Sequence, residues 1–246
     1  MPRHARLDIP GLPRHICIRA VNGMPCFTSD LDRNVFLKYL REAMEGTDFQ
    51  LHAFVLMDNH VHLLATSHVI GTVAKVMHSL CMQYARYFNH QFNRTGPLFQ
   101  GRYWASLIDS QQYLFEVMRY IELNPVRAGM VGAPELFPWS SYAHNTGRQV
   151  RAGITMHDEF QRLGGSPMER CRTWVEFVAQ GISQPQLDRI RRRLRKCRPY
   201  GSDDFEKRFS PEKWDGSVEP SPRPVPQAGS AEPSRKEPSR KERATS

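Results

Sequence analysis

The chain has 246 residues, 40% of them hydrophobic and 10% aromatic, which is enough apolar mass to bury a sizeable core and excludes wholesale disorder. Lys and Arg number 34 against 25 Asp and Glu, a net +9 that favours a polyanionic partner, nucleic acid ahead of an anionic membrane surface. The longest apolar runs are a few residues, such as Phe54 to Met57, too short for a membrane span, and five scattered cysteines without a C-x-x-C pair argue against a disulfide framework or a cysteine zinc site. A reduced, cytoplasmic protein is expected, and no apolar stretch after Met1 to Arg6 suggests a secretory signal.

In chain order, Arg14 to Val21 reads as a strand. Ser29, with Asp32 three residues on, is an N-cap for a helix from Leu31 to Glu45 closed by Gly46. Phe49 to Met57 and Val61 to Ser67 read as a hairpin joined at Asp58 and Asn59. Val73, Val76, Met77, Leu80, Tyr84, Tyr87 and Phe88 mark an amphipathic helix that ends before the loop from Asn93 to Pro97. Tyr103 to Ile108 is a short strand, and Ser110 can cap a helix that runs to Leu123, where Asn124 and Pro125 stop it. This order points to an α+β fold, an antiparallel sheet with helices packed on one face.

The segment from His157 to Gln180 reads as helical. Between Ser183 and Tyr200, seven basic residues and one acid supply +6 of the total charge, while Leu187, Ile190 and Leu194 give a thin apolar stripe. This basic helix is expected to hold a nucleic-acid backbone rather than to do chemistry. From Asp215 onward, Pro, Ser and charged residues dominate, with a tandem repeat of Glu232 to Lys236 and Glu237 to Lys241. Such a tail lacks the apolar surface to offset ordering entropy and reads as disordered.

Two places carry chemistry. His60 and His62 sit where the turn enters a strand, so their side chains share a face and can converge on one ion, with Val61 on the opposite face. Among ten histidines a chance H-x-H is common. Tyr120 and Asn124 lie four apart on a helix, one turn from each other. Tyr113 on the same helix competes with Tyr120 as a candidate nucleophile. A metal on two imidazoles and an amide could polarise a phosphate oxygen while a phenolate attacks phosphorus. A regulator that only binds DNA and a small water-activating metallohydrolase are the competing classes.

Four ordered blocks carry a resemblance: Met57 to Leu64 around the two histidines, Gly96 to Tyr103, Arg119 to Gly129, and Pro138 to Tyr142. Together they resemble the REP-associated tyrosine transposases, a branch of the single-tyrosine HUH nucleases. The likeness spans about residues 8 to 145, with a weak extension at Arg198 to Gly201. It implies a ferredoxin-like α+β catalytic domain over 1–148; the composition of the remaining chain then gives a helical, basic DNA-binding appendage over 149–205 and a mostly disordered tail over 206–246. The resemblance also implies a monomer that cleaves and rejoins single-stranded DNA at hairpin-forming, REP-like repeats.

In such a protein Tyr120 is the nucleophile that forms a 5′-phosphotyrosine bond. His60 and His62, with Asn124, hold Mg²⁺ or Mn²⁺. Arg14, Arg19, Arg102, Arg127, Arg191, Arg192, Arg193, Arg195 and Lys196 are the expected DNA contacts. One departure stands out: Ala20 follows Arg19 where family members carry glycine, which excludes a positive φ at that position.

Overall fold

The computed structural model describes residues 7–109 and 112–210. In chain order the elements are β1 (Arg14–Arg19), α1 (Asp30–Met44), β2 (Gln50–Met57), β3 (His60–Thr66), α2 (Thr72–Gln91), β4 (Trp104–Leu107), α3 (Gln112–Glu122), α4 (Asn124–Arg127), α5 (Tyr142–Asn145), α6 (Asp158–Gln161), α7 (Pro167–Ala179), α8 (Gln184–Arg195) and α9 (Asp203–Arg208). The expected cap at Ser110 and the tail from residue 211, with its tandem repeat, lie outside the described residues.

Local chemistry places these elements. Ser29 and Asp32 form a reciprocal capping box at the start of α1, satisfying two backbone donors that the helix cannot pair. Gly46, just beyond its end, takes φ +65°, a conformation that favours glycine. The helical stretch expected over 157–180 is broken in two. Gly164 and Gly165 interrupt it, and Ser166 then caps α7 by accepting from the Glu169 N–H at 3.2 Å, with Pro167 at the first helical position.

The strands form one antiparallel sheet in the order β2-β3-β1-β4. With α1 and α2 as crossovers this is the βαββαβ ferredoxin-like arrangement. Register sets Cys17 opposite His62 and Arg19 opposite His60. On one face, Ile16, Ile18, Phe54, Leu56, Val61 and Leu63 pack on Phe36 and Leu40 of α1 and on Val76, Leu80, Tyr84 and Phe88 of α2.

The other face is covered too, which corrects the expectation of helices on one side. Ala53, Val55, Met57 and Leu64 pack on Leu114, Val117 and Ile121 of α3, Trp174 and Val178 of α7, and Leu187 and Ile190 of α8. The physical reason is legible in β2, whose run from Leu51 to Met57 is buried throughout. A strand wet on one face would alternate apolar and polar residues.

Residues 149–205 are therefore woven into the sheet. The Thr155 N–H donates to the Leu51 carbonyl at 2.7 Å, and the Tyr200 N–H donates to that of Leu107 at 2.8 Å. The apolar stripe Leu187, Ile190 and Leu194 is buried, which by side-chain transfer contributes about 6 kcal/mol before the opposing entropy. Helix α9 runs across the boundary expected at residue 206. No helix among the described residues is long and apolar enough to cross a membrane.

Candidate active site

The hairpin turn that delivers His60 is braced from outside. Neither Asp58 nor Asn59 has the positive φ of the usual two-residue hairpin turns. Instead, the Cys26 and Ala20 N–H groups donate to the Asp58 and Asn59 carbonyls at 2.7 and 2.9 Å, and Asn59 Nδ2 donates to the Gly23 carbonyl at 3.1 Å. That last bond leaves Asn59 Oδ1 facing His60 Nδ1 at 2.7 Å, so Nδ1 carries the proton and Nε2 keeps its lone pair. Ala20 takes φ −67°, ordinary extended backbone, so the missing glycine costs nothing.

His60 and His62 stand on the same face with ring centroids 5.1 Å apart and planes at 88°. Tyr120 reaches the same place from α3, its ring 5.6 Å from that of His62 and edge-on to it. One turn on, Asn124 is buried, and its Nδ2 position has no hydrogen-bond partner. These four side chains line one cavity of about 340 Å³ with Cys17, Arg19, Trp104, Arg127, Arg191 and Arg195. The expected candidates Tyr120, His60, His62 and Asn124 are thus brought together. Tyr113 is not among them. Its ring packs edge-on against Tyr200 at 5.4 Å, under the Arg189 guanidinium.

Burial keeps the imidazoles neutral. It lowers His60 to about 4, with the Arg19 charge acting in the same direction, and it holds His62 well below its ordinary value, aided by His15 and His60. Neutral imidazole is the form that binds a metal. The residues fit a cation, since two neutral imidazoles share the cavity with Asn124, whose amide oxygen, and not the unpartnered Nδ2, is its ligating atom. The described residues hold no cluster of three or more His, Cys, Asp or Glu suited to a metal, which leaves the Asn124 amide oxygen as the side-chain candidate beside the two imidazoles.

The arginines divide. Arg127 lies over the Tyr120 ring, 4.4 Å from its centroid, and donates to the Tyr120 carbonyl at 2.9 Å. Burial brings its guanidinium down to about 10, Tyr120 opposes that, and the like charge of Arg191 adds to it. Arg19, Arg191 and Arg195 join it at the cavity. Arg14 does not, being buried and ion-paired with Asp8. Arg193 is also taken, paired with Glu206 alongside Arg189. Arg102, Arg192 and Lys196 are exposed and lie outside the cavity lining.

Sequence reading missed His15 and Trp104. His15 Nε2 lies 2.9 Å from His62 Nδ1, and the His15 ring is 5.6 Å from Tyr120, so one buried side chain touches both a candidate ligand and the candidate nucleophile. Alternation along β1 puts His15, Cys17 and Arg19 on one face, but only the pairing register shows that this face meets the H-x-H strand.

Behind the site, Glu122 anchors α3. Its carboxylate is fully buried and accepts from Ser141 Oγ and Asn145 Nδ2 at 2.7 Å each and from Trp174 Nε1 at 2.9 Å. Burial raises it to about 7 against the lowering effect of those three bonds. Arg119 on the same helix stacks on Phe177 of α7 at 4.1 Å. The wall that carries Tyr120 is held by α7.

Residues 10–124 match the family described as "Transposase IS200 like". A protein of Haemophilus influenzae named "Putative REP-associated tyrosine transposase" is 26% identical over 146 residues, covering 54% of this chain and 77% of that protein. A solved structure described as a REP-associated tyrosine transposase bound to a REP hairpin is 18% identical, covers 65% of this chain and 93% of its own, and superposes with a TM-score of 0.49.

Proposed function

We propose, from the premise that residues 10–124 are a transposase domain of the IS200-like family, that this enzyme cuts and rejoins single-stranded DNA at REP-like hairpins through a covalent link to Tyr120. The observation that carries the reading is one cavity holding Tyr120, His60, His62 and Asn124 among four cavity arginines.

The step is a transesterification. The Tyr120 oxygen bonds to phosphorus as the bond to the 3′ oxygen breaks, the phenol proton is given up, and the 3′ oxygen leaves as a hydroxyl. The 5′-phosphotyrosine conserves the bond energy, so a 3′ hydroxyl reverses the reaction without an energy cofactor. His60, His62 and Asn124 would hold a divalent cation, Mg²⁺ or Mn²⁺, which supplies charge neutralisation at a phosphate oxygen. The chain itself orients Tyr120 through α3, screens the site from water by burial, and gathers phosphates with its arginines. Trp104, half-buried in the cavity lining, offers a face on which an unpaired base can stack.

His15 sets which nitrogen His62 presents. If His62 Nδ1 donates to His15 Nε2, then His62 Nε2 keeps the lone pair that a cation needs. His15→Leu is expected to weaken Mn²⁺ binding about tenfold to a hundredfold, with His15→Gln, whose carbonyl can accept, recovering part of it. Calorimetric titration of Mn²⁺ checks this, and unchanged affinity in His15→Leu contradicts it.

The proposed function is tested by incubating the full chain with a labelled single-stranded hairpin and Mn²⁺, followed by denaturing electrophoresis. A band that survives denaturation supports a covalent transferase. A complex that denaturation abolishes supports the DNA-binding regulator instead.

A further inference from the structure

Cations withdrawn from water in a folded protein are normally paired, and α8 shows this on one side, where Arg189 and Arg193 share Glu206. On its cavity side the same helix does the opposite. Arg191 and Arg195, four apart, line the cavity with Arg19 and Arg127, and no Asp or Glu is among its lining residues. None of these four arginines forms an ion pair among the described residues. Arg127 is the most constrained of them, because its Nε and Nη1 are buried with no hydrogen-bond partner. Donors left in that state are costly unless a ligand completes them. An oxyanion with several acceptor oxygens fits that demand, and a guanidinium fork matches its geometry.

We propose that Arg127 and Arg191 form a phosphate site beside Tyr120, so that the C-terminal helix α8 completes the catalytic pocket instead of serving only as a DNA grip. The ligand is a single phosphodiester or phosphate group. Arg127 is fixed over the Tyr120 ring and bonded to its carbonyl, so a phosphate held there lies within reach of the phenol. Arg191 comes from an element about 60 residues later in the chain, which makes the pocket depend on α8 being docked through Leu187, Ile190 and Leu194. The site itself stands on the arginines alone, while its role in cleavage rests on the transferase reading given above.

The test uses the full chain without metal. Inorganic phosphate is titrated while the arginine Nε–H signals are followed by NMR. Saturable shifts are expected at Arg127 and Arg191, and Arg191→Gln is expected to weaken phosphate binding at least about tenfold, as for loss of a charge-assisted pair. Arg86→Gln, an equal charge change on the exposed side of α2, is expected to titrate like the parent. No saturable shift at the two arginines, or equal weakening by both variants, overturns the proposal. On hairpin DNA at saturation, Arg191→Gln is expected to slow adduct formation about tenfold to a hundredfold with an unchanged melting temperature. An unchanged rate with weaker DNA affinity alone overturns the catalytic part. If the parent binds phosphate at these arginines yet forms no adduct, the site stands and the transferase reading falls.

Discussion

Tyr120→Phe is expected to abolish covalent adduct formation on hairpin DNA, by about a thousandfold or more, while leaving folding and DNA affinity close to the parent. Removing a nucleophile removes the chemical step, and what binding alone supplies cannot replace it. The substitution deletes one oxygen. The ring keeps its edge-on contacts with His15 and His62 and its place under Arg127. The donor from Arg127 goes to the Tyr120 backbone carbonyl, which the change does not touch. Quantified adduct bands, a melting curve and an affinity titration of the two proteins check this. Adducts at the parental level in Tyr120→Phe contradict the assignment.

Glu122→Ala is expected to cost about 3–5 kcal/mol of stability and to lower the melting temperature by about 10 °C. Three buried donors, Ser141 Oγ, Asn145 Nδ2 and Trp174 Nε1, converge on this one carboxylate. Its loss leaves each without an acceptor in a fully buried region, and opens a cavity between α3 and α7. Glu122→Gln keeps the shape but turns an NH₂ toward a donor, so an intermediate loss is expected. Adduct formation should fall with stability, because Glu122 is two residues from both Tyr120 and Asn124 on the wall it anchors. Thermal denaturation decides, and a shift within about 2 °C for the alanine variant would show that the network is dispensable.

Much of this site was legible in the residues themselves. The capping box at Ser29, the hairpin at Asp58 and Asn59, and the apolar stripes of Val73 to Phe88 and of Leu187 to Leu194 follow from local chemistry, and the structure has them. His60 and His62 share a face because strands alternate, and Tyr120 and Asn124 share one because helices turn every 3.6 residues. Which faces meet is a different kind of information. It depends on pairing register and on a second layer of helices that arrives late in the chain, so His15, Trp104 and the cavity role of Arg191 were out of reach. The same limit explains the arginines. Sequence shows the density of charge in α8 but not that Glu206 neutralises Arg189 and Arg193, nor that Arg14 is buried against Asp8. Continuous burial of β2 was a usable sign of two covered faces, because a strand with one wet face does not read Leu51 to Met57 as an apolar run broken only by His52.

Tyr120 is the proposed carrier of the DNA through the reaction. Its most direct test is to trap the covalent complex of the full chain with a single-stranded REP-like hairpin and Mn²⁺, digest it, and identify by mass spectrometry the peptide that bears the nucleotide. A 5′-phosphonucleotide is expected on the peptide containing Tyr120, with a free 3′ hydroxyl on the other DNA fragment. A modified Tyr113, or cleavage products with no protein-bound nucleotide at any time point, would contradict it.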